Sequence, residues 1–558
     1  MSSLCHRIAR MLAPLAAALL GACATHGQMA EVHLVALNDF HGHLEASTYT
    51  YTGADQVKHT VKAGGAEAMA AALQTWRKED GELLVVGAGD LVGAAPPISS
   101  MWADEPSIEA LSRLGLRVSS VGNHEFDPGL AELLRQQHGG CASPRPDKAC
   151  RFDLSFGGAR FNYLAANVID KVSGKPVLPA YRIEEAHGVK IAFIGAVLKD
   201  TVSMVPPAGI AGIEFTDEAQ AVNRLLPALR AQGVHAFVLL IHQGGFTDES
   251  PEEADCTHLQ GAIVDVVKRL DPEIRLVVSG HTHTGYSCKV DGHVVTQADM
   301  GGHLLTRIRL DIDRTNDTVR SVTANNVVIL PDSYPPDTSM QNYLTRVKEK
   351  SAAELARPVA HIGADAVKRT PNAAGESAMG DLVADSMLFA TQNQGVQIAF
   401  INAGGLREDI EAGPERVVRE GQARTVLPFG NTLITMSLSG AQLKTLLDEQ
   451  GRGAAHDGPL QVSSALSYRW DQDAPSGSRV TDLRVGGVPI EDGKSYRVVV
   501  NNFLAGGGDH FTTFIQGAER IDTGIADVDA LKRYLADCDA KGQPAGRAQP
   551  AERIVRKQ

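Results

Sequence analysis

The stretch VHLVALNDFHGH, residues 32–43, contains the pattern that decides the fold of the first half of this chain. A short, mostly apolar run ends at Leu37, and the side chains of Asp39 and His41 follow it directly. Such runs are typical of buried strands, and open α/β sheets bind their ligands outside the carboxyl ends of the strands. The stretch therefore predicts a strand that delivers two metal-ligand side chains to one edge of a sheet.

The same arrangement occurs four more times in the first half of the sequence. Four apolar runs each end in ligand-type side chains: LLVVGAG (83–89) before Asp90, VSSVG (118–122) before Asn123 and His124, AFVLLI (236–241) before His242, and RLVVSG (275–280) before His281 and His283. One such fragment is weak evidence, because loop histidines are common. Five fragments, each after an apolar run, predict side chains that converge on one site.

The residue types indicate a site for two divalent metal ions. Two cations about 3.5–4 Å apart need one bridging oxygen ligand and neutral donors that limit the total negative charge. Asp90, within GAGDLVG (87–93), is the natural bridge. Carboxylates, an amide and histidines together suit zinc, manganese, iron or cobalt rather than calcium, and the ligands leave the choice among these metals open.

The motifs resemble a known family. NDFHGH (38–43), GAGDLVG, GNHEFD (122–127), IHQGG (241–245) and SGHTHT (279–284) are similar to the five blocks of calcineurin-like metallophosphoesterases, specifically the bacterial 5'-nucleotidase and UDP-sugar hydrolase family. The similarity continues through NAGGLR (402–407), LPFGN (427–431) and NNFLAGGGDHF (501–511). The resemblance implies an α/β protein: an N-terminal four-layer α/β/β/α metallophosphoesterase sandwich followed by a C-terminal α+β substrate-recognition domain.

The resemblance also implies a place for each ligand. One metal would be held by Asp39, His41 and His283, the second by Asn123, His242 and His281, with Asp90 as the bridge. In this scheme His124 is not a ligand.

His124 would instead stabilise charge on the transferred phosphoryl group and the leaving group, and Asp127 would orient it. A carboxylate that accepts a hydrogen bond from one imidazole nitrogen fixes the tautomer of the ring and raises its basicity. The alternative for Asp127 is a turn residue before Pro128.

The activity implied is hydrolysis of nucleotide phosphate esters by metal-activated water. The substrates would be 5'-mononucleotides, cleaved to nucleoside and phosphate, with ADP, ATP or UDP-sugars as further substrates. One alternative is a 2',3'-cyclic nucleotide phosphodiesterase or another phosphoesterase of the superfamily. Another is a lipoprotein that binds metal or nucleotide without catalysis, but a pure binder has no need of His124 and Asp127 beside the metals.

Residues of the second half would recognise the substrate. Phe429 and Phe503 resemble the two aromatic residues that sandwich a nucleobase in this family, a use that suits flat π faces. The other expected substrate-binding residues are Asp509 for the ribose hydroxyls, Asn402 for the base edge, Arg407 for phosphate or ribose, and Gly404 at a tight turn. With 15 phenylalanines in the chain, the alternative for the two aromatics is a place in the core.

The sequence departs from the family at Gly375, in GESAMGDLVADSM (375–387), where relatives commonly carry an arginine. Either Arg369 reaches the site along a different loop path, or the phosphate clamp has one arginine fewer. The departure bears on the preference for 5'-mononucleotides and not on hydrolysis itself.

A chain of 558 residues exceeds what one core usually serves, and two main domains are expected. The expected division is a signal peptide at 1–30, a catalytic domain at 31–335, a helical linker at 336–358 and a substrate-binding domain at 359–558. The turn-rich PDSYPP (331–336) and the charged segment after it predict that the linker is an exposed helix.

The first 30 residues have the features of an export signal. Arg7 and Arg10 precede the apolar run MLAPLAAALLGA (11–22), and LGAC (20–23) resembles a bacterial lipobox, which implies acylation of Cys23. The alternative is an ordinary secretory signal. The expected location is the periplasm or, through the lipid anchor, the outer membrane of a Gram-negative-type bacterium, with no other membrane contact.

Export permits disulfides, and we expect Cys141 to pair with Cys150 and Cys256 with Cys288, which leaves Cys538 over. The formal net charge of −13 argues against nucleic acid polymers as partners, because these demand basic faces. A nucleotide or another small phosphate ester remains compatible, because metal ions supply local positive charge.

Overall fold

The computed structural model describes residues 29–450, 458–471 and 473–556. The expected signal segment lies outside the described residues except for its last two positions, and so does the expected acylation site Cys23.

Two six-stranded sheets form the first half of the chain. Its strands are β1 (Met29–Leu37), β2 (Ser47–Thr52), β3 (Lys58–Ala63), β4 (Leu84–Ala88), β5 (Leu116–Ser120), β6 (Asn162–Leu164), β7 (Val168–Asp170), β8 (Tyr181–Ala186), β9 (Val189–Val197), β10 (Ile213–Phe215), β11 (Ala236–His242), β12 (Ile274–Ser279), β13 (Gly285–Val290), β14 (His293–Ala298), β15 (Leu304–Asp313) and β16 (Thr318–Val328). The strand orders are β16-β15-β1-β4-β5-β6 and β13-β14-β12-β11-β9-β8. In the first sheet β1, β4, β5 and β6 run parallel, and β15 pairs antiparallel with β1 on one side and β16 on the other. In the second sheet β9, β11, β12 and β14 run parallel, with antiparallel β8 and β13 at the two edges.

Helices cover the outer faces of both sheets. They are α1 (Gly65–Glu79), α2 (Pro97–Ser100), α3 (Glu105–Arg113), α4 (Leu130–His138), α5 (Thr201–Met204), α6 (Glu218–Asn223), α7 (Leu226–Ala231) and α8 (Ala262–Val267). Helices α1 to α4 pack on the first sheet, and α6 to α8 pack on the second. The inner faces of the two sheets share a third apolar core. The expected four-layer α/β/β/α sandwich is confirmed.

Strand β1 illustrates why these apolar runs become central strands. Val35 and Leu37 point into the core shared with the helices, whereas Val32, Leu34 and Ala36 point into the core between the sheets. Burial on both faces removes the polar alternation of a half-exposed strand. This burial explains why residues 32–37 are apolar except at His33.

The expected linker helix is present as α9 (Thr338–Leu355), but it is not exposed on all sides. Tyr343, Leu344 and Val347 are buried in the core of the first half, and the Tyr343 hydroxyl donates to the carbonyl of Pro106 at 3.0 Å. Its charged residues form only the outward face. The prediction of an exposed connector was wrong on this point, because the apolar stripe docks on the sandwich.

The second half contains a five-stranded and a four-stranded sheet. Its strands are β17 (Pro358–His361), β18 (Ala366–Val367), β19 (Ile398–Ile401), β20 (Ile410–Glu411), β21 (Val417–Arg419), β22 (Thr432–Ser439), β23 (Gln461–Val462), β24 (Leu466–Trp470), β25 (Val480–Val485), β26 (Val488–Pro489), β27 (Ser495–Asn501), β28 (Ala518–Ala526) and β29 (Ile554–Arg556). The orders are β23-β19-β27-β22-β28 and β26-β25-β24-β29.

The helices of this half are α10 (Ala378–Thr391), α11 (Glu420–Val426), α12 (Gly440–Glu449), α13 (Asn502–Ala505) and α14 (Asp527–Ala540). Helices α10 and α14 pack on one face of the five-stranded sheet, and α12 with the four-stranded sheet packs on the other. This is the expected α+β arrangement. Within the described part of the chain, no helix combines the length and apolar character needed to cross a membrane.

Candidate active site

The ligand-type side chains occupy the carboxyl ends of five strands. Asp39 follows β1, Asp90 follows β4, Asn123 follows β5, His242 ends β11 and His281 follows β12. The first three strands belong to one sheet and the last two to the other. The two sheets therefore bring their strand ends together at one edge of the sandwich.

Asp39, His41 and His283 form a first group, whose donor atoms lie within 4.8 Å of one another. The Nε2 atoms of the two histidines are 3.1 Å apart, and Nε2 of His283 is 3.3 Å from Oδ1 of Asp39. Nδ1 of His41 donates to the carbonyl of Gly93 at 2.9 Å, so its Nε2 presents a lone pair. Burial also lowers the pKa of His41 well below its ordinary value, which keeps the ring neutral.

Asp90, His242 and His281 form a second group within the same distance limit. Asn123 joins it, because its Oδ1 lies 3.1 Å from Nδ1 of His281. Burial and the neighbouring His242 lower the pKa of His281 to about 3. This ring is therefore also neutral and able to act as a ligand.

Asp90 lies between the two groups. Its Oδ2 is 2.9 Å from Nε2 of His242 in the second group and 3.7 Å from Nε2 of His41 in the first. One carboxylate oxygen thus faces both sets of donors, as a bridging ligand requires.

The buried atoms of this region fit a cation. Nδ1 of His242 donates to the carbonyl of Ala88 at 2.8 Å, and its buried Nε2 has no hydrogen-bond partner although it faces Asp90. Burial opposes the charged ring, but Asp90 and Asp39 raise the pKa of His242 to about 9. A cation beside Nε2 would satisfy this geometry, and a divalent metal ion can take the place of the proton.

Several of these residues have a left-handed backbone. The φ angles are 48° at Asp39, 45° at His41, 48° at Asp90, 82° at His281 and 51° at His283. Non-glycine residues seldom adopt positive φ, and such strain concentrates at functional sites where the surroundings over-determine it. The turns after the strands are therefore shaped to aim the donors.

His124 and Asp127 form the expected dyad in the turn after β5. Nδ1 of His124 lies 2.7 Å from Oδ2 of Asp127, and the backbone N–H of His124 donates to Oδ1 of Asp90 at 2.9 Å. Although burial opposes the imidazolium, the carboxylates of Asp127 and Asp90 raise the pKa of His124. Asp127 is thus more than a turn residue.

Glu125 lies in the same turn, and the sequence alone assigns it no role. Its fully buried carboxylate accepts hydrogen bonds from the backbone N–H groups of Asp90, Leu91, Val92 and Gly122, at 2.9, 2.8, 3.3 and 2.6 Å. Burial raises its pKa to about 7. This side chain holds the Asp90 turn in place, and its only sequence signal is its position inside the GNHEFD block.

The two halves of the chain share one cavity of about 410 Å³. From the first half it is lined by Asp90, Asn123, His124, Asp127, His281 and His283, among others. From the second half it is lined by every expected substrate-binding residue: Asn402, Gly404, Arg407, Phe429, Phe503 and Asp509. The more deeply buried Asp39, His41 and His242 are not among its lining residues.

The aromatic residue Phe429 packs directly on the dyad. Its ring stacks on that of His124, with centroids 5.6 Å apart and an angle of 21°, and the guanidinium of Arg407 lies 5.8 Å from its centroid. Nearby, Asn402 Nδ2 donates to Oδ2 of Asp509 at 2.8 Å. Phe429 is therefore a wall of the site and not a core residue.

The structure leaves no room for a side chain at Gly375, where relatives commonly carry an arginine. This residue has a φ of 86°, and a Cβ atom there would lie 2.3 Å from Cδ of Pro459, so an arginine does not fit. Arg369 pairs with Asp409 and donates to the carbonyl of Leu406 at 3.1 Å. Arg407 is the only arginine among the described residues that line the cavity, and Arg369 is not among them.

Both expected disulfides, Cys141–Cys150 and Cys256–Cys288, are present. The second ties the loop after β11 to β13, next to two ligand-bearing strand ends. Cys538 has no disulfide partner among the described residues.

Comparison with known proteins agrees with this architecture. Residues 32–285 match the calcineurin-like phosphoesterase family, and residues 358–516 match the 5'-nucleotidase C-terminal domain family. The chain is 30% identical over 511 residues to endonuclease YhcR of Bacillus subtilis (strain 168), covering 91% of this chain but only 40% of that protein. It is 24% identical over 545 residues to a 5'-nucleotidase of Vibrio cholerae, covering 89% of each.

Among solved structures, a 5'-nucleotidase precursor from Thermus thermophilus is similar, with a TM-score of 0.74 and 26% identity, covering 94% of this chain and 99% of that chain. The fold and the donor groups define a metal-dependent phosphoesterase that uses divalent metal ions. The chain belongs to the 5'-nucleotidase family, in which a calcineurin-like phosphoesterase domain precedes a 5'-nucleotidase C-terminal domain.

Proposed function

We propose that this protein hydrolyses phosphate esters of nucleotides, with 5'-mononucleotides cleaved to nucleoside and phosphate. One observation carries the proposal: a single cavity is lined by metal-ligand groups on one side and by Phe429, Phe503 and Asp509 on the other. A nucleotide needs both, because its phosphate seeks cations while its base seeks flat apolar surfaces. The cavity volume also falls in the range usual for small-molecule sites.

The residues would hold two divalent ions in the arrangement expected from the sequence. Asp39, His41 and His283 would bind one ion, Asn123, His242 and His281 the other, and Asp90 would bridge them. When bound, divalent cations activate water as a nucleophile and offset charge on the phosphoryl oxygens. The mixed nitrogen and oxygen donors suit zinc, manganese, iron or cobalt.

His124 would serve the leaving group. Its Nδ1 is engaged with Asp127, which leaves Nε2 as the ring atom available to the departing oxygen. With its pKa raised by Asp127 and Asp90, the ring holds a proton that stabilises negative charge as the ester bond breaks. This role separates an enzyme from a protein that only binds metal or nucleotide.

The second half would hold the nucleoside. Phe429 and Phe503 would stack on the base, Asp509 would accept from the ribose hydroxyls, and Asn402 would face the base edge. Arg407, beside Phe429, would contact phosphate or ribose. Gly404 lies in the same turn, where its backbone lines the cavity.

A second candidate is hydrolysis of phosphodiesters such as 2',3'-cyclic nucleotides. The observation in its favour is that Arg407 is the one arginine among the described lining residues. A diester carries one negative charge and a monoester up to two, so a site with fewer cations discriminates less against the diester.

The protein would act outside the cytoplasm. The Cys141–Cys150 and Cys256–Cys288 disulfides support an oxidising compartment. An export signal with a lipid on Cys23 would place it in the periplasm or at the outer membrane.

The test is phosphate release by metal-reconstituted protein from AMP, ADP, UDP-glucose, 2',3'-cyclic AMP and p-nitrophenyl phosphate. We expect AMP to have the highest kcat/KM, and a higher value for 2',3'-cyclic AMP would favour the second candidate. Hydrolysis of p-nitrophenyl phosphate alone would contradict a nucleotide substrate.

A further inference from the structure

The cavity has an apolar wall that the two-phenylalanine arrangement leaves out. The phosphoesterase domain contributes three apolar side chains to the cavity lining: Met204, Pro206 and Phe246. None of them is a metal-type ligand, and none belongs to the dyad. They face the same space as Phe429 and Phe503 of the second domain.

Phe246 is exposed although its backbone is firmly held. The side chain is 43% exposed, and it is the one phenylalanine among the large apolar side chains exposed in the described chain. Its N–H donates to the carbonyl of Gln260 at 2.8 Å, and its own carbonyl accepts from the N–H of Gln260 at 2.9 Å. Because this ring lines the cavity together with Met204 and Pro206, it supplies the kind of apolar surface that usually lines a ligand site.

The loop that carries Phe246 is tied to the ligand-bearing turns. The hydroxyl of Thr282, between two histidine ligands, donates to the carbonyl of Gly245 at 2.7 Å. The Cys256–Cys288 disulfide fixes the same loop to β13. The position of Phe246 is therefore set relative to the phosphate-binding region, and substrate need not order the loop.

Met204 and Pro206 belong to a segment that meets the second domain. Next to them, Asp200 Oδ2 lies 3.3 Å from Nε2 of His510, and a Cβ atom on Gly506 would lie 2.7 Å from Cδ of Pro207. Gly506 follows Phe503 by three residues. The apolar wall and the loop of Phe503 thus adjoin each other across the two domains.

We propose that Phe246, with Met204 and Pro206, forms a specificity-determining wall against which an aromatic group of the substrate packs. The base site is then composite, with apolar surface from both domains. This inference rests on the proposed nucleotide function, and it adds the phosphoesterase domain as a determinant of which ester is accepted. Phe429 and Phe503 would take the two faces of the base, so the wall would pack against its edge, and such packing selects for a ring rather than for one base.

The test compares ring-bearing and ringless ligands in Phe246→Ala. We expect the KM for AMP and the inhibition constant of adenosine both to rise about fivefold, the mid-range for loss of one edge-to-face aromatic contact. The KM for β-glycerophosphate, which has no ring, should stay within about twofold, as should kcat and the metal content. Adenosine binding reports on the wall without any catalytic step.

Two further variants control for folding and surface effects. Phe246→Tyr keeps the ring and should retain the wild-type KM for AMP. Leu154→Ala removes an apolar side chain that is 99% exposed away from the cavity, and it should change nothing.

An unchanged KM for AMP in Phe246→Ala, or an equal rise for AMP and β-glycerophosphate, would overturn the inference while leaving the proposed function intact. A wild-type enzyme that does not hydrolyse AMP would overturn the proposed function first.

Discussion

Oδ2 of Asp127 lies 2.7 Å from Nδ1 of His124, and both side chains belong to the turn that follows β5. The same turn places the N–H of His124 on Oδ1 of Asp90. A single short segment thus couples the proposed bridging ligand to the proposed charge-stabilising histidine. We therefore expect metal binding and leaving-group chemistry to be separable by mutation, because His124 belongs to neither group of candidate metal ligands.

We expect His124→Ala to retain its metal while kcat for AMP falls about 10²–10⁴-fold, the usual contribution of a positioned acid or charge stabiliser. Asp127→Asn should cause a smaller fall, because the ring remains but its proton is held less firmly. Metal content by elemental analysis and steady-state kinetics make the measurement. Loss of metal from His124→Ala would contradict the assignment.

The double variant Phe429→Ala with Phe503→Ala should raise the KM for AMP at least about tenfold, since each base–aromatic stack contributes roughly 1–3 kcal/mol. The KM for p-nitrophenyl phosphate should change far less. Kinetics with both substrates on the same preparation provide the comparison. Equal effects on the two would remove the base sandwich.

Glu125→Gln should lower both stability and metal affinity. In the wild-type protein four backbone N–H groups share the carboxylate of Glu125, and in the variant an amide N–H₂ group would face some of these donors. Each buried N–H left without an acceptor costs about 1–3 kcal/mol. Thermal unfolding with and without metal measures both effects. Glu415→Gln, on a side chain that is 78% exposed, is the matched control and should be neutral. Unchanged metal affinity in Glu125→Gln would show that the Asp90 turn does not depend on this carboxylate.

Asp527 predicts a pH dependence of stability in the second domain. Its carboxyl is buried, Oδ2 has no hydrogen-bond partner, and burial raises its pKa to about 7 from the ordinary 3.8. Because the folded state binds the proton more tightly than the unfolded state, this group lowers the free energy of unfolding as pH rises from about 4 to about 7. At about 1.4 kcal/mol per pH unit, the loss is at most about 4 kcal/mol.

Asp527→Asn should remove this dependence, so its stability relative to wild type should increase from pH 5 to pH 8. Urea unfolding of both metal-free proteins at the two pH values is the measurement. A difference that does not change with pH would contradict a raised pKa at this position.

Much of the fold and the metal-ligand part of the site can be predicted from the sequence. The run 236–241 is apolar throughout, and 32–37 is apolar except at His33, because both strands are buried on two faces. A ligand-type side chain that follows such a strand lies at its carboxyl end. That is why Asp39, Asp90 and His242 can be predicted from the sequence to converge on one site. The disulfide pairs followed from export and spacing.

Other features depend on contacts between segments that are far apart in the sequence. Three features arise from packing against residues that are distant in sequence, and no local pattern predicts them. They are the burial of α9, the clash that excludes a side chain at Gly375, and the wall formed by Phe246. In the sequence Glu125 is an ordinary acid, and only the folded chain brings four backbone N–H groups to its carboxylate. Local periodicity encodes which face of a strand is buried, whereas a cavity between two domains exists only once both have folded and met.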